Sequence, residues 1–146
     1  MRIYLAGPFF SDEQIARVAK LEQALAANPS VDEVFSPRLD KSWTGEEGTP
    51  AWADYIFKMD TSQIDEADAL VVVHDYLHAN MDSGTAFEVG YAYRSQTPIV
   101  VVQELTDEPV NLMIGQALQT YLTDPNEVAT LDFNNLPTIP YEGKTF

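Results

Sequence analysis

The sequence predicts a doubly wound α/β fold, with a mainly parallel five-stranded sheet and helices on both of its faces. Short runs rich in Val and Ile, such as "DALVVVHD" at 68–75, alternate along the chain with segments whose apolar residues recur at helical spacing. Strands that are apolar on both faces are typical of parallel sheets covered by helices on either side. With 146 residues, 45% of them apolar, and no repeat or linker, the chain is expected to form one domain over 1–146.

Four strands can be located, at 2–7, 31–37, 68–75 and 98–104. Their alternation with helices predicts a flavodoxin-like domain. In such folds, ligands bind beyond the carboxyl ends of the strands, near the point where the strand order reverses. The segments that follow the first, third and fourth strands are therefore the places to look for a site.

Helices are expected at 12–27, 50–63, 83–95 and 107–118, the last with Pro109 near its start. Ser11 and Gln14 form a capping-box pattern before the first helix. Thr49 and Pro50 suit the N-cap and first position of the second. The connection at 38–50 is long enough to suggest a function, and the residues after 131 are expected to be irregular.

The charge balance narrows the possible partners. A formal net charge of -15 repels phosphate backbones and anionic lipid, so neither a nucleic acid nor a membrane is expected to bind. The chain has no Cys and no apolar run of membrane-spanning length, which suits the reducing cytoplasm. His74 and Asp75 close a strand, but a lone His there is usually structural. No metal and no cofactor are expected.

The stretch "DSGTAFEVGYA" at 82–92 places Glu88 between Phe87 and Val89. Burying a carboxylate is costly unless it is paired, hydrogen-bonded or protonated. A helix N-terminus favours negative charge, so Glu88 is expected to stay ionised, as a nucleophile requires. The alternative is a Glu that caps a helix or forms an inter-helix salt bridge.

Two further carboxylates lie near the expected site. Asp82 precedes a helix and is expected to act as its N-cap, while Gly84 leaves room for a ligand. Asp60 lines up with Ile56 and Ile64 on a core-facing stripe. Burial raises a carboxyl pKa and suits a general acid, although Asp60 could also be structural. A nucleophile and an acid together suit chemistry at an anomeric carbon.

Four segments make the sequence recognisable: "IYLAGPFFSD" (3–12), "FKMDTSQIDEADALVVV" (57–73), "DSGTAFEVGYA" (82–92) and "PVNLM" (109–113). With its Asp-x-Gly-x-x-x-Glu-x-Gly motif and later Asn-Leu-Met, the chain resembles the nucleoside 2-deoxyribosyltransferases from residue 3 to the C-terminus. The resemblance implies a homo-oligomer with shared active sites that transfers 2-deoxyribose between deoxynucleosides and free nucleobases. The wording "FFSD" and "DSGTAFE" leans toward the purine-preferring branch.

The resemblance also implies roles for individual residues. Glu88 matches the nucleophile that forms a covalent deoxyribosyl-enzyme, Asp60 the acid that protonates the leaving base, and Asp82 a carboxylate near the sugar hydroxyls and base. Tyr4 matches a tyrosine that hydrogen-bonds the nucleophile. Asn111 matches a residue donated by a neighbouring subunit to the sugar 5′-hydroxyl; otherwise it is a polar residue in the first turn of a helix.

Six more side chains are candidates for substrate binding: Phe9, Phe10, Asp40, Ser42, Met113 and Phe146. The two phenylalanines after the first strand could stack on a base or anchor a loop in the core. Either Asp40 or Ser42 would contact the base, and the choice is open. The terminal Phe146 stands where the family often ends in Tyr, so a terminal phenol is lacking.

Two other functions compete with transfer. A deoxynucleoside 5′-monophosphate N-glycosidase shares the fold but must bind phosphate, which calls for Arg, Lys or clustered Ser; the motif segments carry almost no positive charge. A non-enzymatic flavodoxin-like module needs an acidic pair or a phosphate loop directly after the first strand. "AGPFFSD" has neither.

Overall fold

A computed structural model describes residues 1–146 and contains a single five-stranded sheet in which all neighbouring strands are parallel. The strands run in the spatial order β2-β1-β3-β4-β5, the flavodoxin-like order, which reverses between β1 and β3. Their bounds are Arg2–Ala6 (β1), Glu33–Phe35 (β2), Ala69–Val73 (β3), Ile99–Val102 (β4) and Thr120–Leu122 (β5). The predicted fold class is confirmed.

Helices cover both faces of the sheet, as expected. They are Asp12–Ala27 (α1), Pro50–Asp65 (α2), Ser83–Arg94 (α3) and Leu112–Ala117 (α4), with short 3₁₀ helices at Pro37–Leu39, Pro125–Thr130 and Phe133–Asn135. Side chains alternate along each strand, so Ile3 and Leu5 pack under α1 and the last two 3₁₀ helices. Tyr4 and Ala6 face the opposite core, beneath α2, α3 and α4.

The predicted helix caps are present. The Ser11 hydroxyl accepts a hydrogen bond from Gln14 N at 3.3 Å, and that of Thr49 accepts one from Trp52 N at 3.2 Å. In a regular capping box the Gln14 side chain would accept from Ser11 N. Here it accepts instead from Phe10 N, at 2.9 Å. This bond fixes the backbone of the segment that follows β1.

The predicted helix at 107–118 is wrong in its start. Residues 107–110 are not helical, and α4 begins only at Leu112. Asn111 is the N-cap, and its side chain accepts from Met113 N at 2.9 Å. The amide of Val110 instead donates to the C-terminal tail, at Lys144 O. The helix therefore starts after the Asn111 cap rather than at Pro109, because the Val110 amide is bonded to the tail.

The fifth strand was expected but could not be located from the sequence. It is only three residues long, with the burial pattern buried, partly buried, buried. Its outer edge is not bare, because Tyr121 N donates to Ile139 O at 2.8 Å and Ile139 N donates to Gln119 O at 2.9 Å. The tail is therefore irregular but closes the sheet edge. None of the helices is long and apolar enough to cross a membrane.

Candidate active site

A cavity of about 380 Å³ opens beyond the carboxyl ends of β1 and β3, where the strand order reverses. It is lined by the segment after β1, the 37–47 segment after β2, one side of α2 and the first turns of α3. Its size falls in the range of small-molecule sites. The location matches the expectation for a doubly wound sheet.

Glu88 lies in the second turn of α3 with its carboxyl in the cavity. Its partner is the fully buried Tyr4 on β1, whose hydroxyl donates to Glu88 Oε1 at 2.5 Å. No salt bridge or helix cap involves Glu88. Burial together with Glu88 and Asp60 raises the pKa of Tyr4 far above its ordinary range, so the phenol remains a donor.

The expectation that Glu88 stays ionised needs correction. The pKa of Glu88 is raised to about 7: burial is the main cause, the hydrogen bond from Tyr4 opposes it, and the charges of Asp60 and Asp82 add to it. At neutral pH the group is therefore close to half protonated.

Asp60 lines the same cavity from the third turn of α2. Its Oδ1 is inaccessible to solvent and has no hydrogen-bond partner. Burial, and to a smaller extent the charge of Asp40, raise the pKa of this carboxyl to about 6. A structural Asp would bond to backbone or to a Lys, and Asp60 forms no such bond. A carboxyl of this kind suits proton donation.

Asp82 is the N-cap of α3, as the sequence predicts. Its Oδ2 accepts from Thr85 N at 3.0 Å and from the Thr85 hydroxyl at 3.2 Å, and no hydrogen bond reaches its Oδ1. The carboxyl also lines the cavity. A Cβ at Gly84 would lie 3.1 Å from Asp82 Oδ2, so the glycine keeps this wall of the cavity open beside the cap.

The two phenylalanines after β1 form an accessible wall rather than a core anchor. Phe10 is 69% exposed and Phe9 36% exposed. Their rings stack with centroids 5.6 Å apart, and Phe10 meets Tyr76 edge-on at 6.4 Å. Both line the cavity, which leaves an aromatic surface facing its opening.

Asp40 and Ser42 have different positions. Asp40 lines the cavity, whereas Ser42 lies outside its lining. The Ser42 hydroxyl donates to Asp40 Oδ2 at 2.6 Å, and Ser42 N donates to Oδ1 at 3.2 Å. Ser42 thus contributes to the cavity only indirectly, by orienting the Asp40 carboxyl group.

Asn111, Met113 and Phe146 lie together on another part of the surface, outside this cavity. Leu112 N donates to Phe146 O at 3.2 Å, which places the chain end beside the start of α4. Met113 is 71% exposed and Phe146 51% exposed. Within one copy of the chain, these three residues do not reach Glu88.

A model of the nucleoside 2-deoxyribosyltransferase family matches residues 3–123, a range that covers all four helices and all five strands except the first residue of β1. The chain belongs to this family. Its members are enzymes that act on deoxynucleosides and nucleobases.

Individual relatives agree with this assignment. A nucleoside deoxyribosyltransferase from Limosilactobacillus fermentum is 30% identical over 146 positions, covering 91% of this chain and 85% of the relative. The structure of a 2-deoxyribosyltransferase from Bacillus psychrosaccharolyticus superimposes with a TM-score of 0.85 at 38% identity, covering 97% and 99% of the two chains. A CMP N-glycosidase from Clostridium botulinum shares the fold, with a TM-score of 0.60 at 18% identity over 88% and 94%.

Sequence reasoning missed part of the deoxyribosyltransferase cavity. Trp43, Trp52 and Met59 also line it; the two tryptophans lie outside the recognised segments, and within 57–73 the sequence singles out Asp60 but not Met59. The glycine at position 45 is the one hint of this wall in the sequence, because a Cβ there would lie 2.6 Å from the Trp43 ring. The glycine lets the 38–50 connection fold closely over that ring. His74 and Asp75 are buried away from this cavity, and Asp75 accepts from Glu104 N at 2.7 Å, which is a structural bond.

Proposed function

We propose that this enzyme transfers 2-deoxyribose from a deoxynucleoside to a free nucleobase by double displacement through a covalent intermediate on Glu88. The observation that carries the proposal is the pair of carboxyl groups in one cavity. Glu88 is held by the Tyr4 hydroxyl at 2.5 Å, and Asp60 has a buried oxygen without a partner. The two carboxyls thus differ in environment: Glu88 accepts a hydrogen bond that favours its ionised form, and Asp60 does not.

In the first step, Glu88 Oε attacks C1′ of the sugar and the bond from C1′ to the base nitrogen breaks. The departing base takes the proton of Asp60. In the second step, a nitrogen of the acceptor base attacks C1′, the ester to Glu88 breaks, and Asp60 regains a proton from the acceptor. Two inversions give net retention at C1′.

The free site favours the reverse of the protonation states that the reaction needs, because the pKa of Glu88 lies above that of Asp60. The reaction needs Glu88 ionised and Asp60 protonated, and their pKa values are about 7 and about 6. Because the two groups influence each other, the pair titrates as a unit. We expect kcat/KM to follow a bell-shaped pH profile with its maximum between about pH 6 and 7.

An uncharged deoxynucleoside fits the electrostatics of the cavity better than a nucleotide. Five carboxyl side chains but only two cationic side chains line it: Asp40, Glu47, Asp60, Asp82 and Glu88 against Arg38 and Lys41. The Arg38 guanidinium is already paired with Glu22. A 5′-phosphate would therefore meet net repulsion, which disfavours hydrolysis of deoxynucleoside monophosphates. The exposed rings of Phe9 and Phe10 favour a purine, which offers the larger stacking face.

A second copy of the chain is proposed to complete the site. Asn111, Met113 and Phe146 form a surface outside the cavity, and exposed aromatic side chains such as Phe57 and Phe87 lie on α2 and α3, 5.7 Å apart. Mixing the two inactive variants Glu88→Gln and Asn111→Ala after partial dissociation should restore exchange, because mixed assemblies contain intact sites. Activity that stays at the level of the separate variants would contradict shared sites.

Base exchange tests the proposed function. Purified protein is incubated with deoxyinosine and adenine, and separately with thymidine and adenine. Deoxyadenosine should form in the first mixture, faster than in the second, and should not form with Glu88→Gln. Glu47→Gln removes another cavity carboxylate and serves as the matched control. Release of free deoxyribose without deoxyadenosine would identify a hydrolase instead.

A further inference from the structure

Asp40 is a fixed negative charge on the wall of the cavity. Both of its carboxyl oxygens accept hydrogen bonds from Ser42, at 2.6 Å from the hydroxyl and 3.2 Å from the amide. Hydrogen bonds to both oxygens fix the orientation of the carboxyl group. Nothing cationic is paired with Asp40, so its charge is not neutralised within the protein.

The turn that carries Asp40 is anchored on both sides. On one side, Glu22 of α1 accepts from the Ser36 hydroxyl at 2.8 Å and from Arg38 Nε at 3.2 Å, with a second bond from Arg38 Nη2. On the other side, the Ser42 hydroxyl lies 3.4 Å from Met59 Sδ. Met59 directly precedes Asp60. The Asp40 carboxylate is thus held beside the part of α2 that carries the proposed acid.

Asp60 is surrounded by several other ionisable groups. Glu88 and Asp82 face it from α3, Tyr4 lies behind Glu88 on β1, and Arg38, Lys41 and Glu47 line the cavity from the segment after β2. Besides Glu88, whose ionisation is coupled to that of Asp60, Asp40 carries a charge that adds to burial in raising the pKa of Asp60.

We propose that Asp40 is a positioning residue of the reaction: its negative charge in the same cavity favours the protonated form of Asp60, and Ser42 holds that charge in place. Resting on the proposed function of Asp60, this inference gives Asp40 no contact with the reacting atoms. It also differs from a role in contacting the base, because a contact changes base preference, whereas a charge changes the pH range in which Asp60 can donate.

The test compares Asp40→Asn, Glu47→Gln and Asp60→Asn with the unmodified protein. Asp40→Asn removes the charge and keeps one side-chain oxygen to accept from Ser42, while an amide nitrogen replaces the second acceptor oxygen; Asp40→Ser is a second, smaller neutral variant. The carboxyl titration of Asp60 is followed by NMR on protein with labelled Asp and is assigned by its loss in Asp60→Asn. The pH profile of kcat/KM for base exchange is recorded in parallel.

Burial is the larger cause of the raised pKa of Asp60, so removal of the Asp40 charge should lower its titration midpoint by up to about one pH unit. On the alkaline side of the profile, exchange should fall by up to about tenfold, and on the acid side it should be unchanged. Glu47→Gln should leave the Asp60 titration in place.

Two results overturn the inference: an Asp60 titration that is the same with and without the Asp40 charge, or a loss of exchange equal at every pH together with altered base preference. Failure of the proposed function is distinguishable from both. If Asp60→Asn still exchanges bases, Asp60 is not the acid and the proposed function fails. The titration of Asp60 in the unmodified protein and in Asp40→Asn would still report whether Asp40 acts on it.

Discussion

Replacing Tyr4 with Phe removes the hydroxyl that donates to Glu88 at 2.5 Å and leaves the buried ring in place. The hydroxyl favours the ionised carboxyl, since its hydrogen bond lowers the pKa of Glu88 against the effect of burial. A hydrogen bond to a charged group contributes about 1.5–3 kcal/mol. At about 1.4 kcal/mol per pH unit, the pKa of Glu88 should rise from about 7 by roughly one to two units.

The expected consequence is a pH-dependent loss of activity. At pH 7 the ionised fraction of Glu88 should fall from about half to between roughly 10% and 1%. Base exchange should therefore drop by roughly 5- to 50-fold at pH 7. The ratio of kcat/KM between variant and unmodified protein should return toward one above about pH 9, because Glu88 is ionised in both proteins there.

The assay is the initial rate of deoxyadenosine formation from deoxyinosine and adenine across the pH range. Tyr121→Phe is the matched control. Its hydroxyl donates to Gln103 Oε1 at 2.8 Å, outside the cavity, so its loss should not move the profile. A ratio for Tyr4→Phe that is constant over the whole pH range would refute the reasoning, because the hydroxyl would then not govern the ionisation of Glu88.

Three further results are expected. The folded-state pKa of Glu88 is raised from 4.5 to about 7, so ionisation of Glu88 costs roughly 3 kcal/mol of folding stability as pH rises through 7. Glu88→Gln should therefore raise the free energy of unfolding at pH 8 and leave it unchanged at pH 4. Asp60→Asn should lower the pKa of Glu88, seen by carboxyl NMR titration, since the Asp60 charge raises it. Gly7→Ala should lower the melting temperature, because its Cβ would lie 2.9 Å from Val73 Cβ, an overpacking that costs about 1–3 kcal/mol.

The sequence predicts the fold well because the strands are apolar on both faces and the caps have clear donors and acceptors. It places Ser11, Thr49 and Asp82 at helix starts, and the structure confirms each cap. Local patterns fail for β5, where three residues depend on pairing with β4 and with the tail at Ile139. They also fail at α4, where a distant partner, Lys144, holds Val110 out of the helix.

Within the site, the sequence singles out Glu88, Asp60 and Tyr4, and the structure brings the three together. The sequence does not predict the protonation states of these side chains. The raised pKa of Glu88 depends on burial and on two other carboxylates, and these are properties of the folded arrangement rather than of the local stretch. The link from Asp40 to Asp60 is equally invisible in the sequence, since it joins two elements through a cavity.

Trapping the sugar on the enzyme tests the central claim most directly. The protein is mixed with deoxyinosine without an acceptor base, quenched in acid, digested and examined by mass spectrometry. The peptide that contains Glu88 should gain the mass of one 2-deoxyribosyl group, and adenine added before the quench should remove it and yield deoxyadenosine. Base exchange at full rate with no modified peptide, or with the sugar on a residue other than Glu88, would contradict the account.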